Sequence, residues 1–452
     1  MINLSSAVIN SLNNFLKFVQ SKFEPIVEGS LLLKNIDNVI LIFILSVFTS
    51  SLFLSSGKLG LVAMLVVGLT IIKLLIIKGQ NISLPLCNFF LLIFIGLNII
   101  SIVNSTEFIY SLMGFIKTFI YMSFYFSIFQ YFRYNKGKIF PVMAFIAVLA
   151  SLEGVIGIVQ NNIGLENIST WQDTSYVNPE EVVSRIYGTL LPYNPNLLGG
   201  YLVACFGSLL AAVFIALKSK NIKLSIISIL GVIVTSLTVF FTGCRGAYLA
   251  LFVVVCGVIV ASWQVLKNNE KIINYWKMII SSFFVFAIGF ILLTPSILKR
   301  IMSIFIMRED SSTSFRMNVY NSSFCMLRDN YLMGIGVGNK TFREVYGLYM
   351  ISGYDALSCY CIYLEMAVES GIFALIAYLL FAFILIFYAI KKFIAEKELN
   401  NKILIFSSLI SIVAVLTHGL FDTVYFRPQI QFIFWTMVSM LLVLIQNEEK
   451  LA

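Results

Sequence analysis

The chain has 452 residues, of which 59% are hydrophobic and 12% are charged, with a formal net charge of +9 and a mean hydropathy of +0.94. This composition excludes a soluble globular domain and indicates a polytopic membrane protein. The positive charge is spread over many connections, so a nucleic-acid-binding surface is not expected. The seven cysteines have no spacing typical of a disulfide framework or a zinc site.

The first 35 residues predict an amphipathic helix at the membrane surface. Apolar residues from Val8 to Phe23 recur every three or four positions, opposite several asparagines and Lys17. No uninterrupted apolar region follows a basic start, which argues against a secretory signal. We therefore expect residues 1–35 to form a cytoplasmic segment and residues 36–452 to form the membrane domain.

Twelve apolar stretches then follow, each about 20 residues long, as a bilayer-crossing helix requires. They cover residues 38–55, 59–77, 82–103, 108–131, 139–160, 196–217, 224–242, 246–264, 278–295, 359–390, 403–422 and 429–446. The tenth is too long for one perpendicular span, so we expect Cys361 to Ser370 to be a partly exposed helix before the lipid. The predicted fold is all-α and integral to the membrane, with about twelve helices and a long external loop between helices 9 and 10.

Basic residues predict the orientation of these helices. With a cytoplasmic N-terminus, 17 of the 22 lysines fall in cytoplasmic segments, which is the positive-inside pattern. Both termini are then cytoplasmic, and eight of the nine arginines are external. Because lysines are sufficient to set the orientation, the external arginines require a chemical explanation.

Two external connections are long, at about 161–195 and about 296–358, and such loops often carry binding and catalytic residues. The first contains an Arg-x-x-Gly-Thr motif that begins at Arg185, followed by an Asn-Pro-Asn turn. A Thr-Gly-x-Arg-Gly-Ala motif places Arg245 at the outer end of a pair of spans. The second contains Arg316 and a Gly-Ile-Gly-x-Gly turn.

Two further motifs complete this series. A Tyr-Leu-Glu element ends at Glu365 and is followed by Glu-x-Gly, and the chain later has Gly-Leu-x-Asp-Thr and Phe-Arg-Pro-Gln. In this order, over about residues 184–430, the motifs resemble the family of O-antigen ligases and O-antigen polymerases (Wzy-like), which are bacterial membrane glycosyltransferases.

The resemblance implies a GT-C-like helical fold in the bacterial cytoplasmic membrane, with an external active site. It also implies a glycan donor linked to a polyprenyl pyrophosphate such as undecaprenyl pyrophosphate, a glycan or lipid-anchored acceptor, and transfer without a metal, a nucleotide or another cofactor. The biological role would be cell-surface polysaccharide assembly.

The arginines suit this chemistry on physical grounds. Guanidinium groups bind phosphate oxygens in a bidentate manner and keep their charge. Contacts that strengthen as a pyrophosphate departs would accelerate the reaction. We predict catalytic roles for Arg245 and Arg316 and a substrate-binding role for Arg185. The alternatives are an interfacial anchor for Arg245 and a solvated loop side chain for Arg316.

One departure from the family pattern concerns the general base. Members of the ligase group usually carry a histidine just before the Tyr-Leu-Glu element, where this chain has Cys359, Tyr360 and Cys361. Its only histidine, His418, precedes Asp422 by four residues, a spacing that allows contact on one helix face. Glu365 is a second possible base if burial raises its pKa. Each side chain has a structural role as its alternative. A lone histidine near a helix end is usually structural, and the alternative for Glu365 is an ion pair with an external arginine.

The remaining site predictions concern substrate binding. Asn194 is expected to hydrogen-bond sugar hydroxyls, whereas Asn196 is expected to cap a helix. Tyr360 and Asp422 are also predicted to bind substrate. The glycine run at 334–338 lacks a preceding strand, which excludes a nucleotide-binding loop and indicates turns with positive φ.

Within the spans, Glu153 is expected to pair with Lys117. The predicted function is an inverting glycosyl transfer at the external face, either ligation or polymerisation. The alternatives are a multi-span transporter or lipid-linked oligosaccharide flippase, and a catalytically inactive scaffold.

Overall fold

The structure is a computed structural model that describes residues 7–163, 185–293 and 312–446. These residues form helices joined by short turns, without strand elements. The helices are α1 (Ala7–Gly29), α2 (Leu31–Lys34), α3 (Ile36–Ser50), α4 (Ser56–Ile76), α5 (Cys87–Asn104), α6 (Phe108–Tyr134), α7 (Ile139–Ile163), α8 (Pro195–Lys218), α9 (Ile222–Phe241), α10 (Arg245–Leu266), α11 (Glu270–Leu293), α12 (Ser312–Asp329), α13 (Asn339–Tyr346), α14 (Ile362–Ser370), α15 (Ile372–Ala395), α16 (Leu399–His418) and α17 (Pro428–Ile445).

The predicted all-α membrane fold is confirmed. The tenth predicted stretch overlaps two of these helices and each of the other eleven overlaps one. Over the described residues, ten helices are long and apolar enough to cross a membrane. The shorter α3 has 15 residues. The bundle is centred on α8 and α17, whose side chains are mostly buried, whereas few side chains of α10 are buried.

The tenth stretch is divided into two helices. Gly371 separates α14 from α15 with a φ of +84°, and a Cβ at this position would overlap the carbonyl oxygen of Leu332. Glycine is therefore required at the break on two grounds. The prediction of partial exposure for Cys361 to Ser370 is wrong, because every residue of α14 except Tyr363 is buried.

The predicted long loop between helices 9 and 10 forms a layer that covers α14. Over its described part, this segment contains α12 and α13. Together with α14, they form a separate apolar core. Its fully buried members are Val319, Met326, Phe342, Tyr346, Ala356, Cys359 and Val368. Residues 296–311 of this loop lie outside the described residues, as do 164–184 of the first long connection.

The N-terminal helix α1 is attached to the bundle through polar side chains. The Gln20 amide donates to the carbonyl oxygens of Leu74 (2.8 Å) and Gln80 (3.0 Å). Asn13 exchanges two hydrogen bonds with the backbone of Ile82. The apolar residues on another side of α1 are exposed: Val8, Leu12, Phe15, Phe18, Phe23 and Ile26. The helix therefore presents an apolar surface away from the bundle.

Two charged groups of the spans have partners in the structure. Lys73 Nζ lies 2.6 Å from Asp37 Oδ1. Glu153 is fully buried and accepts hydrogen bonds from the backbone N–H (3.2 Å) and the hydroxyl of Thr189. The expectation that Glu153 pairs with Lys117 is wrong, because the returning segment before α8 reaches this carboxylate instead.

Candidate functional site

Three helix ends converge where the predicted arginine motifs lie. Helix α8 begins at Pro195, α10 begins at Arg245 and α16 ends at His418. The 419–427 connection between α16 and α17 lies beside them, and Arg316 on α12 reaches this connection. Residues far apart in the sequence therefore form one cluster.

The Arg-x-x-Gly-Thr motif is anchored by buried polar groups. The N–H of Gly188 donates to Gln160 Oε1 at 2.9 Å, and Gln160 Nε2 donates to the carbonyl oxygen of Gly188 at 3.0 Å. Thr189 contacts Glu153 as described above, and its hydroxyl oxygen also lies 2.9 Å from the carbonyl oxygen of Leu52. These contacts hold the segment that carries Arg185 against the bundle.

Arg185 is held by two acceptors. Its Nε donates to the carbonyl oxygen of Thr242 at 2.8 Å, and its Nη2 donates to Asn196 Oδ1 at 2.6 Å. The adjacent Gly243 has a φ of +64°, and a Cβ there would lie 3.0 Å from Arg185 Nε. Burial lowers the pKa of Arg185, but an arginine stays protonated at neutral pH.

Asp422 is the carboxylate at the centre of the cluster. Its Oδ2 accepts from Asn196 Nδ2 at 2.7 Å and lies 3.5 Å from Arg316 Nη2. Its Oδ1 accepts the N–H of Val424 at 3.1 Å. With three donors around it, Asp422 is suited to orienting neighbouring side chains.

Arg316 has further contacts that fix its guanidinium. Nη1 donates to the carbonyl oxygen of Phe421 at 2.6 Å, and the guanidinium carbon lies 5.3 Å from the ring centroid of Tyr360. Such a cation–π contact stabilises the cation without neutralising it. Tyr360 has a φ of +53°, and burial raises its pKa to about 12, so its hydroxyl remains protonated.

Arg245 completes the arginine cluster, which we define as Arg185, Arg245 and Arg316. It is the first residue of α10 and is partly exposed. Its positive charge interacts with the charges of Arg185 and Arg316. The cluster therefore brings together three cations, of which Arg316 pairs with Asp422.

His418 is enclosed rather than open to the cluster. Its Nε2 lies 3.4 Å from Cys244 Sγ, and Cβ atoms at Gly200 and Gly246 would lie 3.4 Å and 3.5 Å from its ring. Burial alone would raise the pKa of Cys244, but the adjacent imidazole reverses this effect and the pKa is lowered. The predicted placement of His418 and Asp422 on one helix face is wrong, because α16 ends at His418.

Glu365 and Glu369 lie one turn apart on α14 and are buried. Glu365 Oε2 accepts the N–H of Cys359 at 3.1 Å, and Glu369 Oε1 accepts the N–H of Gly338 at 2.8 Å. Burial raises the pKa of Glu365 well above its usual range, assisted by the charge of Glu369. Burial likewise raises the pKa of Glu369 to about 8. The roles of Glu365 and His418 as a base stay predictions.

The asparagine of the Asn-Pro-Asn turn that caps α8 is Asn194, not Asn196 as expected, and sugar binding by Asn194 stays a prediction. Asn194 Oδ1 accepts the N–H groups of Asn196 (2.8 Å) and Leu197 (3.4 Å), and thus caps α8. The Asn196 side chain instead joins Arg185 to Asp422. Our sequence reasoning therefore missed Asn196 as a site residue, and also missed Cys244. The Asn-Pro-Asn order contained a usable signal, because the residue before a proline at the first helical position is the usual N-cap.

The glycine run at 334–338 is a structural turn. Its glycines at 334, 336 and 338 have φ values of +73°, +111° and +110°, as the sequence predicted. Every N–H from 334 to 338 donates to a protein oxygen, on Asn330, Val368, Glu369 or Ser111. This backbone is therefore committed to holding α14 and α6 together, and it has no N–H left for an anion.

Residues 230–379 match the family model described as O-antigen ligase. Among curated proteins, none matches the chain. The resemblance that the motifs indicated is therefore confirmed, and the matched region supports an O-antigen ligase-like family for this multi-span membrane protein. Such a family supports a glycan-transferring enzyme with a role in cell-surface polysaccharide assembly. The matched region includes Arg245, Arg316, Tyr360 and Glu365, whereas Arg185, Asn196 and Asp422 lie outside it.

Proposed function

We propose that the protein transfers or polymerises glycan from a polyprenyl-pyrophosphate-linked donor to an acceptor hydroxyl at the external membrane face. The observation that carries this proposal is the arginine cluster itself, in which the charge of Arg245 interacts with those of Arg185 and Arg316. The acceptor hydroxyl attacks the anomeric carbon and gives its proton to a base, for which Glu365 and His418 are the predicted candidates. The bond from that carbon to the pyrophosphate oxygen breaks, and the lipid pyrophosphate leaves. Configuration at the anomeric carbon is inverted in this single displacement.

The arginine cluster is the part of the site that stabilises the leaving group. Guanidinium groups match phosphate oxygens in geometry and charge. Each charge-assisted hydrogen bond contributes roughly 1.5–3 kcal/mol. The cluster lies at helix ends rather than within a span, which is where a headgroup at the membrane surface would reach it. Lipid pyrophosphate is therefore the substrate group that fits the cluster best.

The orientation of the protein is part of the same proposal. We place both termini in the cytoplasm and the arginine cluster outside, since the lysine distribution follows the positive-inside pattern. The apolar surface of α1, which faces away from the bundle, then lies against the cytoplasmic leaflet.

The test is glycan transfer by purified protein in proteoliposomes. The substrate is an oligosaccharide linked to a polyprenyl pyrophosphate, and the readouts are released lipid pyrophosphate and product length. We expect Arg316→Ala and Arg245→Ala each to lower kcat/KM by a factor of roughly ten or more, for the loss of one charge-assisted contact. Longer glycans would indicate a polymerase, and single transfer a ligase.

The matched control is Arg328→Ala. Arg328 lies on α12 like Arg316, but its side chain is 77% exposed and it pairs with Asp329 on the surface. This variant should keep wild-type activity. Movement of the lipid-linked glycan between leaflets without transfer would contradict the proposal and favour a flippase. Equal activity of Arg316→Ala, Arg245→Ala and the wild type would contradict the role of the arginine cluster.

A further inference from the structure

One neutral side chain separates two opposite charges in the site. The Asn196 amide accepts from Arg185 Nη2 at 2.6 Å through its oxygen and donates to Asp422 Oδ2 at 2.7 Å through its nitrogen. The amide orientation follows from its partners, because only an oxygen can face a guanidinium and only an NH2 group can face a carboxylate. Asn196 therefore has one orientation that satisfies both neighbours.

Arg316 and Arg185 differ in how they are connected to Asp422. Arg316 lies 3.5 Å from Asp422 in a direct ion pair, whereas the hydrogen bonds that connect Arg185 to Asp422 pass through the amide. A carboxylate in direct bidentate contact would take two N–H groups of a guanidinium and oppose its charge. The amide takes one N–H and adds no charge, so it orients Arg185 without neutralising it.

The backbone of Asn196 is as firmly placed as its side chain. Its N–H is bound by the N-cap Asn194 at 2.8 Å, in the first turn of α8. The other hydrogen bond of Arg185, to Thr242, comes from the turn before α10. Two helix ends thus contribute one oxygen atom each to the orientation of the Arg185 guanidinium.

We propose that Asn196 is a positioning residue that orients Arg185 toward the pyrophosphate of the donor through a neutral acceptor rather than a carboxylate. This inference rests on the proposed function, since it names the role of a side chain in that same site. If Asn196 has this role, a carboxylate at position 196 should weaken anion binding even when the variant protein folds normally.

The experiment uses two isosteric substitutions and their combination. Asn196→Asp adds a carboxylate next to Asp422. Adding Asp422→Asn to it restores the original net charge, but leaves the carboxylate directly beside Arg185. Asn221→Asp is the matched control, because Asn221 is an exposed N-cap of α9 whose side chain accepts the N–H of Leu224 at 3.1 Å. Binding of inorganic pyrophosphate and the KM for the lipid-linked donor are measured together with thermal midpoints.

We expect Asn196→Asp to raise the dissociation constant for pyrophosphate and the donor KM by roughly tenfold or more, with a smaller change in kcat. The swapped double variant should recover thermal stability but not affinity. Asn221→Asp should match the wild type. If Asn196→Asp is too unstable to purify, Asn196→Ala removes both hydrogen bonds without adding charge and should still weaken pyrophosphate binding.

Three outcomes would overturn the inference. The first is wild-type affinity in Asn196→Asp or Asn196→Ala. The second is recovery of both pyrophosphate affinity and thermal stability in the Asn196→Asp/Asp422→Asn double variant. In that case the net charge of the two positions would matter, and the neutrality of residue 196 would not. The third is a wild-type protein that binds no pyrophosphate and transfers no glycan, which would overturn the proposed function as well and is distinguished from the others by the wild type alone.

Discussion

The buried carboxylate of Glu369 predicts that stability falls as the pH rises. Its side chain is 7% exposed, and burial raises its pKa from 4.5 to about 8 despite the N–H of Gly338 and the charge of Lys117, which act in the opposite direction. Between these two values the folded protein holds a proton that the unfolded chain has released. The stabilisation is complete below the unfolded pKa and is lost as the pH rises through the folded pKa.

The magnitude follows from proton linkage. One additional bound proton changes the free energy of unfolding by about 1.4 kcal/mol per pH unit, so about 2.7 kcal/mol is lost from about pH 5.5 to about pH 7.5. Glu365 acts in the same direction because its pKa is also raised. Glu369→Gln resembles the protonated carboxyl, and its amide oxygen can still accept the N–H of Gly338.

The assay is the thermal midpoint of purified protein in detergent, followed by tryptophan fluorescence across this pH range. We expect Glu369→Gln to match the wild type at the acid end, to be more stable at the neutral end and to have a smaller slope. Glu344→Gln is the control, since Glu344 lies on α13 and is exposed. A wild-type midpoint that is constant or rises with pH would refute the reasoning, as would equal slopes for Glu369→Gln and the wild type.

Two further predictions concern packing and capping. Gly207→Ala should lower the thermal midpoint by several degrees, because its Cβ would overlap the carbonyl oxygen of Ser407 where α8 meets α16. The control is Gly68→Ala, whose Cβ would meet no atom within 4 Å and which should keep the wild-type midpoint. Equal midpoints for the two variants would count against this packing. Asn194→Ala should lower the free energy of unfolding by about 1 kcal/mol through loss of the α8 cap, whereas Asn194→Asp should retain the cap. Chemical unfolding of both variants measures the difference, and equal stability would show that the cap contributes little.

The helices could be predicted from the sequence because the bilayer imposes a simple rule. A span needs a long apolar stretch whatever it packs against, so each predicted stretch overlaps a helix. The division at Gly371 also has a local cause, and the excessive length of the tenth stretch indicated it. The prediction that α14 is partly exposed was wrong. The burial of α14 depends on contacts with α12 and α13, and the sequence does not show where those two helices pack.

The site shows the same limit at the level of single residues. The charge of an arginine is a local property, and the order of the motifs was sufficient to select Arg185, Arg245 and Arg316. The partners of Asn196 are 11 and 226 positions away in the chain, so only the folded bundle reveals its role. Cys244 was missed for the same reason, because its contact with His418 spans 174 positions.

The charges of the site suit the products of the proposed reaction better than its substrates. A glycan-linked polyprenyl pyrophosphate carries less negative charge than the free lipid pyrophosphate that it becomes when the anomeric bond breaks. Arg316 pairs with Asp422, and the charge of Arg245 interacts with those of Arg185 and Arg316. Interactions that strengthen as charge develops lower the barrier, whereas uniform binding does not. A cluster of three guanidinium groups, with Asn196 as a neutral spacer between Arg185 and Asp422, therefore suits the charge that develops on the departing group.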